Sequence, residues 1–488
     1  METRELVVLG AGPGGYAAAF RAADLGLQVT LIDRSAQLGG VCVNTGCIPT
    51  KALLHVAETL AGAEEAADFG LAIEDSAPDL KAVRHWRDSA VQRMSGGVGQ
   101  LAQQRKVEVL TGEAQFTGSH ELAVSTREGN RTLRFDQAIV AAGSRPVRLP
   151  FLPADPRIWD STEALALHQV PPHLLVIGGG IIGLEMATIY AALGSRVTIV
   201  EAAAQLVPEA DADLVGVWQR ANRERMQWHL STQVTAVQAD SEQLRVALQP
   251  QQGDAFALEV DAVLVAVGRR PNGDLIQAEA AGVTVTERGF IPVDAHGRTA
   301  QAHIFAIGDL VAGPMLAHKA SHEGHVAAEN AAGLRRTFDA RAIPSIAYTQ
   351  PEIAWVGLTE KAALAAGRPI RTAVFPWAAS GRAVSSGVSG GRTKLILDPE
   401  TDQVLGAGLA GAHAGELLGE LSLAIEFGAC AEDLALTVHA HPTLHETVGL
   451  AGELAAGTIT DLRNPRAVRS VDQRTASPTL QSVSVTSI

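Results

Sequence analysis

Two closely spaced cysteines are the residues with the clearest chemistry. Cys42 and Cys47 lie in the segment Gly39-Gly40-Val41-Cys42-Val43-Asn44-Thr45-Gly46-Cys47-Ile48-Pro49-Thr50-Lys51. In a regular helix, positions five apart rise ~7.5 Å, which exceeds the ~4.4–6.8 Å Cα separation that a disulfide needs. Gly46 can distort that turn and draw the sulfurs together. A disulfide closed over so short a loop should be accessible and readily reduced, so the spacing predicts a redox-active pair.

Two other interpretations of the pair are inert buried thiols and half of a metal site. A zinc site would need two more ligands nearby. The remaining cysteine, Cys430, belongs to a distant part of the chain, and its alanine neighbours predict a plain core residue. Three cysteines in 488 residues also exclude a disulfide-stapled secreted scaffold. We favour the redox interpretation and predict no metal site.

A glycine-rich turn between a buried strand and a helix occurs twice in the sequence. In the first unit the strand Leu6–Leu9 leads into Gly10–Gly15, and a second strand ends at Asp33. In the other unit the strand Leu174–Ile177 leads into Gly178–Gly183, and the strand Arg196–Val200 ends at Glu201. Both units run 23 residues from the first glycine to the acid (33 − 10 and 201 − 178). This agreement indicates a duplication.

These units predict two dinucleotide sites. The glycines let the backbone approach a pyrophosphate at a helix N-terminus, and the acid accepts hydrogen bonds from a ribose. A lone glycine pattern could be an ordinary tight turn, but here every part of the unit is present twice. Glu201 is followed by three alanines with no cation for a 2′-phosphate, which favours NAD over NADP. The predicted contacts are Gly10, Gly12, Gly15 and Asp33 in the first unit, and Gly178, Gly180, Gly183 and Glu201 in the second.

A cysteine pair and NAD imply a third redox group. A dithiol delivers two electrons by thiolate attack, whereas NAD accepts a hydride, and a flavin can convert one into the other. We therefore predict one tightly bound FAD per chain in the first unit, with NAD as co-substrate in the second. Lys51 would point its ammonium at the flavin. The alternative for Lys51 is a solvated surface lysine.

The elements around these motifs predict the domain plan. Each unit is followed by an apolar strand that closes on glycine, at Ile139–Gly143 and at Val263–Gly268, so the second unit is inserted into the first fold. The strand His303–Ile307 would return the chain to the first domain. From about Ser345 the pattern is that of an α+β region. The fold class is α/β, with two Rossmann-like domains. The predicted ranges are 1–146 and 273–344 for the FAD domain, 147–272 for the inserted NAD domain, 345–469 for the C-terminal domain and 470–488 for a mobile tail.

Composition excludes two classes of partner. The chain carries 39 basic and 53 acidic residues, a formal charge of −14, whereas binding to nucleic acid or anionic lipid needs excess cationic side chains. No window supplies the ~18 uninterrupted apolar residues of a spanning helix. The first apolar stretch follows Glu2 and Glu5 instead of the basic segment of a signal peptide. We predict a soluble cytoplasmic protein with no nucleic-acid or membrane partner.

From about residue 5 to about residue 466 the chain resembles the pyridine nucleotide–disulfide oxidoreductases, and among them those that oxidise dihydrolipoyl groups with NAD. One departure from the family is Asp33, where glutamate is more usual, so a water could bridge this acid to the ribose. The segments that carry the resemblance most specifically are Gly39–Lys51, Ile177–Leu193, Ile304–Asp309, Met315–Lys319 and His439–Glu446.

The resemblance implies roles for individual residues. Cys42 would be the interchange thiol that attacks the lipoyl group, and Cys47 would face the flavin. Lys51 would pair with Glu185 near the flavin ring. The further FAD contacts would be Ala114, Gly143, Asp309 and Ala317, and the further NAD contacts would be Val234 and Gly268.

The resemblance also implies partners. It predicts a homodimer, formed by a C-terminal dimerisation domain, in which each active site takes its base from the other subunit. His441 would be this base, and Glu446 would orient its second nitrogen. The substrates would be lipoyl domains on the acyltransferase core of 2-oxo acid dehydrogenase complexes.

The chemistry of histidine supports the role implied for His441. A histidine can take a proton from a thiol near neutral pH, and a carboxylate on its second nitrogen fixes its tautomer. The alternatives for His439, His441 and His445 are a polar turn or a zinc site, although a zinc site would lack its fourth ligand. We interpret His439 and His445 as structural.

The sequence can be compared with three alternative functions. A glutathione reductase would carry basic residues near Glu201 for NADPH. A mercuric reductase would carry a cysteine pair near its C-terminus, and Ser470–Ile488 contains none. A non-catalytic, flavin-bearing docking subunit is the third alternative. We predict an NAD-dependent oxidation of dihydrolipoyl groups.

Overall fold

The computed structural model describes residues 2–71, 73 and 77–464, so the tail predicted at 470–488 lies outside the described residues. The strands are β1 Glu2–Leu9, β2 Val29–Asp33, β3 Glu108–Thr111, β4 Glu113–Gly118, β5 Glu121–Thr126, β6 Gly129–Val140, β7 Ser144–Pro146, β8 Ile158–Trp159, β9 His173–Ile177, β10 Arg196–Val200, β11 Met226–His229, β12 Thr232–Ala239, β13 Leu244–Pro250, β14 Phe256–Val260, β15 Ala262–Val265, β16 Arg269–Pro271, β17 Ile304–Ala306, β18 Ser345–Ala347, β19 Glu352–Gly357, β20 Arg371–Pro376, β21 Arg392–Leu397 and β22 Val404–Gly411.

The α-helices alternate with these strands in the first two domains and cover one face of the last sheet. They are α1 Pro13–Asp24, α2 Gly40–Thr45, α3 Cys47–Glu65, α4 Leu80–Gln104, α5 Ser161–Ala166, α6 Ile181–Ala192, α7 Ala212–Asn222, α8 Ala317–Ala331, α9 Glu360–Ala365, α10 Gly381–Ser385, α11 Ala414–Phe427, α12 Ala431–Leu436 and α13 Glu446–Ala456. Short 3₁₀ turns occupy Ala66–Phe69, Gly273–Leu275, Ala278–Ala281, Gly308–Leu310 and Trp377–Ala379.

The first sheet has the strand order β3-β2-β1-β6-β5-β4, with β17 also paired to β6. Strands β3, β2, β1, β6 and β17 pair in parallel, whereas β4 and β5 form an antiparallel extension. The pairing of Ile304–Ala306 with β6 confirms that the chain returns to this sheet. Leu6–Leu9 are buried, because helices α1 and α8 cover one face and the Phe116 and Phe135 layer covers the other.

The second sheet is wholly parallel, in the order β11-β10-β9-β15-β8, and lies within the chain segment that interrupts the first. A three-stranded antiparallel sheet, β12-β13-β14, packs against it. Strands β7 and β16 form a two-stranded ribbon where the chain leaves the first domain and where it comes back. This doubly wound arrangement confirms the predicted α/β fold class. The residue boundaries of the domains stay a prediction.

The C-terminal region is an antiparallel sheet with the order β18-β19-β22-β21-β20, packed against α11, α12 and α13. Among the described residues, every helix is too short or too polar to cross a bilayer.

Close glycine contacts fix the helices that point at the site. A Cβ on Gly324 of α8 would lie 2.5 Å from the carbonyl oxygen of Gly14 in α1, so these helices can cross only through glycine. This crossing brings the N-terminus of α1 and the N-terminus of α8 to the same cavity, which Gly12 and Ala317 line.

Candidate active site

A cavity of about 1590 Å³ extends from the first glycine turn, past the cysteine pair, to the second glycine turn. It therefore brings both predicted nucleotide sites and the predicted redox pair together. The predicted residues that line it are Gly10, Gly12, Asp33, Cys42, Cys47, Lys51, Ala114, Gly143, Gly178, Gly180, Glu185, Glu201, Val234, Gly268, Asp309 and Ala317. Gly15 and Gly183 do not line it, because they lie behind the turns as packing residues.

The three glycines of each turn have three different physical roles. Gly10 and Gly178 have φ of +102° and +107°, and a Cβ on either would lie 2.2 or 2.5 Å from a carbonyl oxygen of the neighbouring strand connection. A Cβ on Gly15 would lie 1.7 Å from the carbonyl oxygen of Gly10, and Gly183 makes the equivalent contact at 2.0 Å. These two positions let the helix pack directly onto the strand.

The middle glycines, Gly12 and Gly180, face open space. A Cβ at either position would find nothing within 4 Å. Each is the N-cap of its helix, so the unpaired N–H groups and the positive dipole end of α1 and of α6 point into the cavity. A pyrophosphate fits both cradles, and FAD in the first and NAD in the second are consistent with this geometry.

Asp33 and Glu201 hold equivalent positions at the two turns. Asp33 Oδ2 accepts a hydrogen bond from Ala11 N at 2.7 Å, and its Oδ1 accepts one from Ser35 N at 2.8 Å. Glu201 makes the matching pair with Gly179 N at 2.6 Å and Ala203 N at 2.7 Å. The shorter aspartate therefore reaches the same backbone groups. Its contact with the FAD ribose stays a prediction.

The cysteines lie on either side of a helix break. Helix α2 ends at Thr45, and α3 begins at Cys47. Gly46 between them has non-helical angles, φ −142° and ψ −110°, and a Cβ there would lie 2.9 Å from the carbonyl oxygen of Val41. This distortion was predicted from Gly46. The side chains of Cys42 and Cys47 are in hydrogen-bond contact with each other.

The two sulfurs differ in acidity. The hydrogen bond from Cys42 lowers the pKa of Cys47 to about 7, against burial, and the Lys51 ammonium lowers it further. The same hydrogen bond, together with burial, raises the pKa of Cys42 far above its usual value. Cys47 is therefore the sulfur that holds the thiolate, and Cys42 is the proton donor to it.

Lys51 is fixed between two domains. Its Nζ lies 2.8 Å from Glu185 Oε1, and the Glu185 side chain is only 5% exposed. The same carboxylate oxygen accepts a hydrogen bond from Tyr348 N at 3.2 Å, and Lys51 Nζ lies 4.2 Å from the centre of the Tyr348 ring. The predicted pairing of Lys51 with Glu185 is thus present, and Tyr348 adds a contact that the sequence had not indicated.

A polar chain that sequence reasoning missed runs through Asp309. Ser144 Oγ donates to Asp309 Oδ2, and Arg269 Nε donates to Ser144 Oγ at 2.7 Å. Burial lowers the pKa of Arg269, although Asp309 opposes this. Ser144 and Arg269 directly follow Gly143 and Gly268 at the carboxyl ends of the strands. This position is the available signal for both residues, because ligands bind there in α/β sheets.

His441 and Glu446 do not line the cavity of their own chain. His441 Nδ1 lies 2.8 Å from Glu446 Oε1, and Thr443 N donates to the second carboxylate oxygen at 2.7 Å. Since the carboxylate can only accept, Nδ1 carries the proton and Nε2 is the free lone pair. The His441 side chain is 78% exposed, so it is available to another molecule.

The other residues of this region have structural contacts. His439 Nε2 lies 2.8 Å from Glu420 Oε1, and its ring packs where a Cβ on Gly449 would be. Cys430 differs from the predicted core residue. It is half-buried and is the N-cap residue of α12, where Asp433 Oδ2 accepts a hydrogen bond from Cys430 N at 2.8 Å. Its position before a helix start, with an acid three residues on, is a capping pattern that explains the difference.

Comparisons with known proteins agree with this site. Residues 4–324 match the family described as pyridine nucleotide-disulphide oxidoreductase, and residues 343–451 match its dimerisation domain. The chain is 54% identical over 464 residues to dihydrolipoyl dehydrogenase of Vibrio cholerae, covering 95% of this chain and 98% of the relative. It is 41% identical to dihydrolipoyl dehydrogenase of Bacillus subtilis, covering 93% and 97%.

Two solved structures share the fold over nearly the whole chain. LpdA from Mycobacterium tuberculosis matches with a TM-score of 0.84 at 25% identity, covering 92% of this chain and 99% of that one. The copper(II) complex of the HOCl-induced flavoprotein disulfide reductase RclA from Escherichia coli matches with a TM-score of 0.83 at 29% identity, covering 93% and 100%.

Proposed function

The chain belongs to the pyridine nucleotide-disulphide oxidoreductases, and we propose that it acts in this family as a dihydrolipoyl dehydrogenase. It oxidises protein-bound dihydrolipoyl groups to lipoyl groups and reduces NAD to NADH. The observation that carries the proposal is a single cavity that Cys42, Cys47 and both glycine turns line. The high identity to several dihydrolipoyl dehydrogenases selects this activity within the family.

FAD, when bound at the first turn, accepts an electron pair from a thiolate and passes a hydride to NAD. Gly12 and the N-terminus of α1 would hold its pyrophosphate, and Asp33 would accept hydrogen bonds from its ribose. Asp309, fixed through Ser144, would contact the flavin chain between ribose and ring. Lys51 would place its ammonium at the ring, since Glu185 and Tyr348 hold it at the cavity wall.

The oxidation of the substrate dithiol uses the two cysteines in different roles. His441 takes a proton from the substrate dithiol, and the resulting thiolate attacks the Cys42 sulfur of the oxidised pair. The Cys42–Cys47 bond breaks and Cys47 leaves as a thiolate, which the nearby Lys51 ammonium favours. The second substrate sulfur then attacks the mixed disulfide. This step releases oxidised lipoyl and leaves Cys42 reduced.

The reduction of NAD takes place at the second glycine turn. Gly180 and the N-terminus of α6 would hold the NAD pyrophosphate, and Glu201 would accept hydrogen bonds from the adenosine ribose. Ala202, Pro208 and Glu209 line the same cavity as Glu201, and none of them is cationic. None of these three residues offers a 2′-phosphate a cationic partner, which favours NAD over NADP.

The exposed His441 supports a dimeric active site. The match to a dimerisation domain at 343–451 supports a homodimer. His441 and its partner Glu446 lie outside the cavity of their own chain, and we propose that they complete the cavity of the partner subunit. We further propose that the enzyme serves the lipoyl domains of 2-oxo acid dehydrogenase complexes, docked on their acyltransferase core, and that it is cytoplasmic.

The test is a steady-state assay with purified protein. It compares dihydrolipoamide, glutathione disulfide and mercuric ion, each with NAD(H) and NADP(H). We expect NADH formation from dihydrolipoamide, with Cys47→Ser inactive but still yellow from bound flavin. The matched control is Cys430→Ser, which changes a cysteine in another domain and should remain active. Undiminished turnover by Cys47→Ser, or a preference for NADPH with glutathione disulfide, would overturn the proposal.

A further inference from the structure

We propose that Lys361 in the C-terminal domain is a positioning residue for the NAD site, because it holds the segment Leu206–Asp211 against the second glycine turn. Lys394 supports it from the same domain. This inference rests on the proposed function in one respect, namely that NAD binds at the second turn. We name Leu206–Asp211 the wall segment.

The wall segment forms part of the NAD site. Leu206 is fully buried and its Cδ2 lies 2.4 Å from where a Cβ on Gly179 would be. Val207 N donates to Gly179 O at 2.9 Å. Gly179 in turn donates to Glu201. The next residues, Pro208 and Glu209, line the same cavity as Glu201. A shift of this segment would therefore change the surface that the adenosine half of NAD meets.

The segment does not hold its own conformation through regular structure. It lies between β10 and α7, outside any helix or strand. Val207 has φ +42°, a region that a β-branched residue rarely adopts and that persists only when the surroundings impose it. Contacts from outside the segment must therefore supply part of its order.

The C-terminal domain supplies those contacts from two elements. Lys361, on α9, donates from Nζ to Pro208 O at 2.9 Å and from its backbone N to Asp211 Oδ1 at 3.4 Å. Lys394, on β21, lies 2.9 Å from Asp211 Oδ2. One end of the wall segment and its cavity-lining proline are thus both tied to the same neighbouring domain.

Lys394 cannot be removed without further consequences. Its side chain is 1% exposed and also contacts Asp213 at 2.9 Å and Glu360 at 2.7 Å. The oxygens of these three acids lie within 4.8 Å of one another, so the ammonium is the charge that lets them meet. Without it, the three carboxylates, of which Asp211 is buried, would repel each other and the fold would be destabilised. Lys361 is the sharper probe, because its bond to Pro208 is exposed and its loss leaves no buried charge.

The cysteine pair lies on other elements than these contacts, since Cys42 and Cys47 belong to α2 and α3 of the first domain. The reduction of flavin by the dithiol and the binding of NAD should therefore respond differently to a change at Lys361. Loosening the wall segment should weaken NAD binding and leave the reduction of flavin by the dithiol unchanged. A general loss of structure would affect both.

The experiment measures both half-reactions in the purified holoenzyme. The variants are Lys361→Met, Lys361→Arg and, as the matched control, Arg223→Gln, which removes an exposed cation at the far end of α7. The measurements are KM for NAD and kcat at saturating dihydrolipoamide, the anaerobic rate of flavin reduction by dihydrolipoamide, and direct NADH binding.

We expect Lys361→Met to raise KM for NAD and the dissociation constant of NADH about twofold to tenfold, the range that one exposed hydrogen bond allows. We expect kcat and the flavin reduction rate to stay within about twofold, Lys361→Arg to restore most of the affinity, and Arg223→Gln to match the parent. Unchanged NADH binding in Lys361→Met would overturn the inference, as would an equal loss in both half-reactions. Failure of the proposed function is a different result, since the parent flavin would then not be reduced by dihydrolipoamide.

Discussion

The carboxylates of Asp33 and Glu201 accept the same pair of backbone hydrogen bonds, one from the second residue of the glycine turn and one from the residue two positions beyond the acid. Each acid therefore braces its turn, in addition to the ribose contact that we propose for it. Because the two sites are built alike, matched substitutions in them should have matched effects on two different nucleotides.

Substitution of the middle glycines should separate binding from folding. Gly12→Val and Gly180→Val place a side chain in open space at extended backbone angles, so both proteins should fold. The added side chain should occupy the pyrophosphate position. We expect Gly12→Val to lack flavin, and Gly180→Val to be yellow and reducible by dihydrolipoamide but unable to reduce NAD. Flavin absorbance and anaerobic reduction check both outcomes.

The matched control for these variants is Gly10→Val, because its Cβ would lie 2.2 Å from Ala141 O. We expect this protein to be poorly folded, with a lower unfolding midpoint. If Gly180→Val reduced NAD at the parental rate, the second turn would not hold the pyrophosphate.

Cofactor choice should depend on Glu201 and its neighbour Ala202. Removing the carboxylate loses hydrogen bonds to a ribose, about 1.5–3 kcal/mol for a charged acceptor, and adding a guanidinium gives a 2′-phosphate a bidentate partner. We expect Glu201→Ala combined with Ala202→Arg to lower kcat/KM for NAD at least about tenfold and to raise it for NADP. The ratio of the two kcat/KM values is the measurement. Asp33→Ala, the matched change in the first unit, should lower flavin content and leave the ratio unchanged.

The sequence predicted the parts of the fold that depend on local signals. The strands β1, β9 and β10 contain short buried runs that are mainly apolar because both sheet faces are covered, and each precedes a turn or an acid that marks its end. The antiparallel strands β4, β5 and β12–β14 were not predicted as such. Their exposed and buried residues alternate over short stretches, and their pairing depends on partners elsewhere in the sheet.

The same division holds for the site. The cysteine pair and the glycine turns were predictable because each is a contiguous segment whose chemistry is complete in itself. The bond from Arg269 to Ser144 joins residues 125 positions apart, and that from Lys361 to Pro208 joins residues 153 apart. The local sequence around each donor does not indicate which residue it contacts. The pairing of β7 with β16 brings Arg269 to Ser144. The contact of α9 with the wall segment brings Lys361 to Pro208.

The acidity of Cys47 should depend on Cys42 in a measurable way. Because the pKa of Cys47 is lowered to about 7, its thiolate is the main form above that pH and is lost as the pH falls below it. We expect alkylation of Cys47 by iodoacetamide in the reduced protein, followed by peptide mass mapping, to rise with a midpoint near pH 7. Cys42→Ala should move the midpoint upward, since the hydrogen bond from Cys42 is the largest cause of the lowered value.

Two further variants test the sign of the electrostatic contributions to this pKa. Lys51→Met should also move the midpoint upward, because the ammonium favours the thiolate, whereas Glu185→Gln should move it downward, because the carboxylate opposes it. A midpoint that stays the same in all three variants would contradict the assignment of Cys47 as the thiolate.

The exposed His441 predicts that an active site needs two subunits. His441→Gln removes the proton acceptor, and general-base catalysis contributes about 10²–10⁴-fold, so dithiol turnover should fall by that order. Cys42→Ala should also be inactive.

If His441 of one subunit serves the cysteines of the other, a mixed dimer of the two variants contains one site with an intact cysteine pair and an intact base. Refolding the two inactive variants together should therefore restore about a quarter of the parental activity, since half of the dimers are mixed and each has one working site. The control is each variant refolded alone, which should remain inactive. If the mixture stays inactive although differently tagged subunits are shown to have exchanged, His441 acts on the cysteines of its own chain or on none.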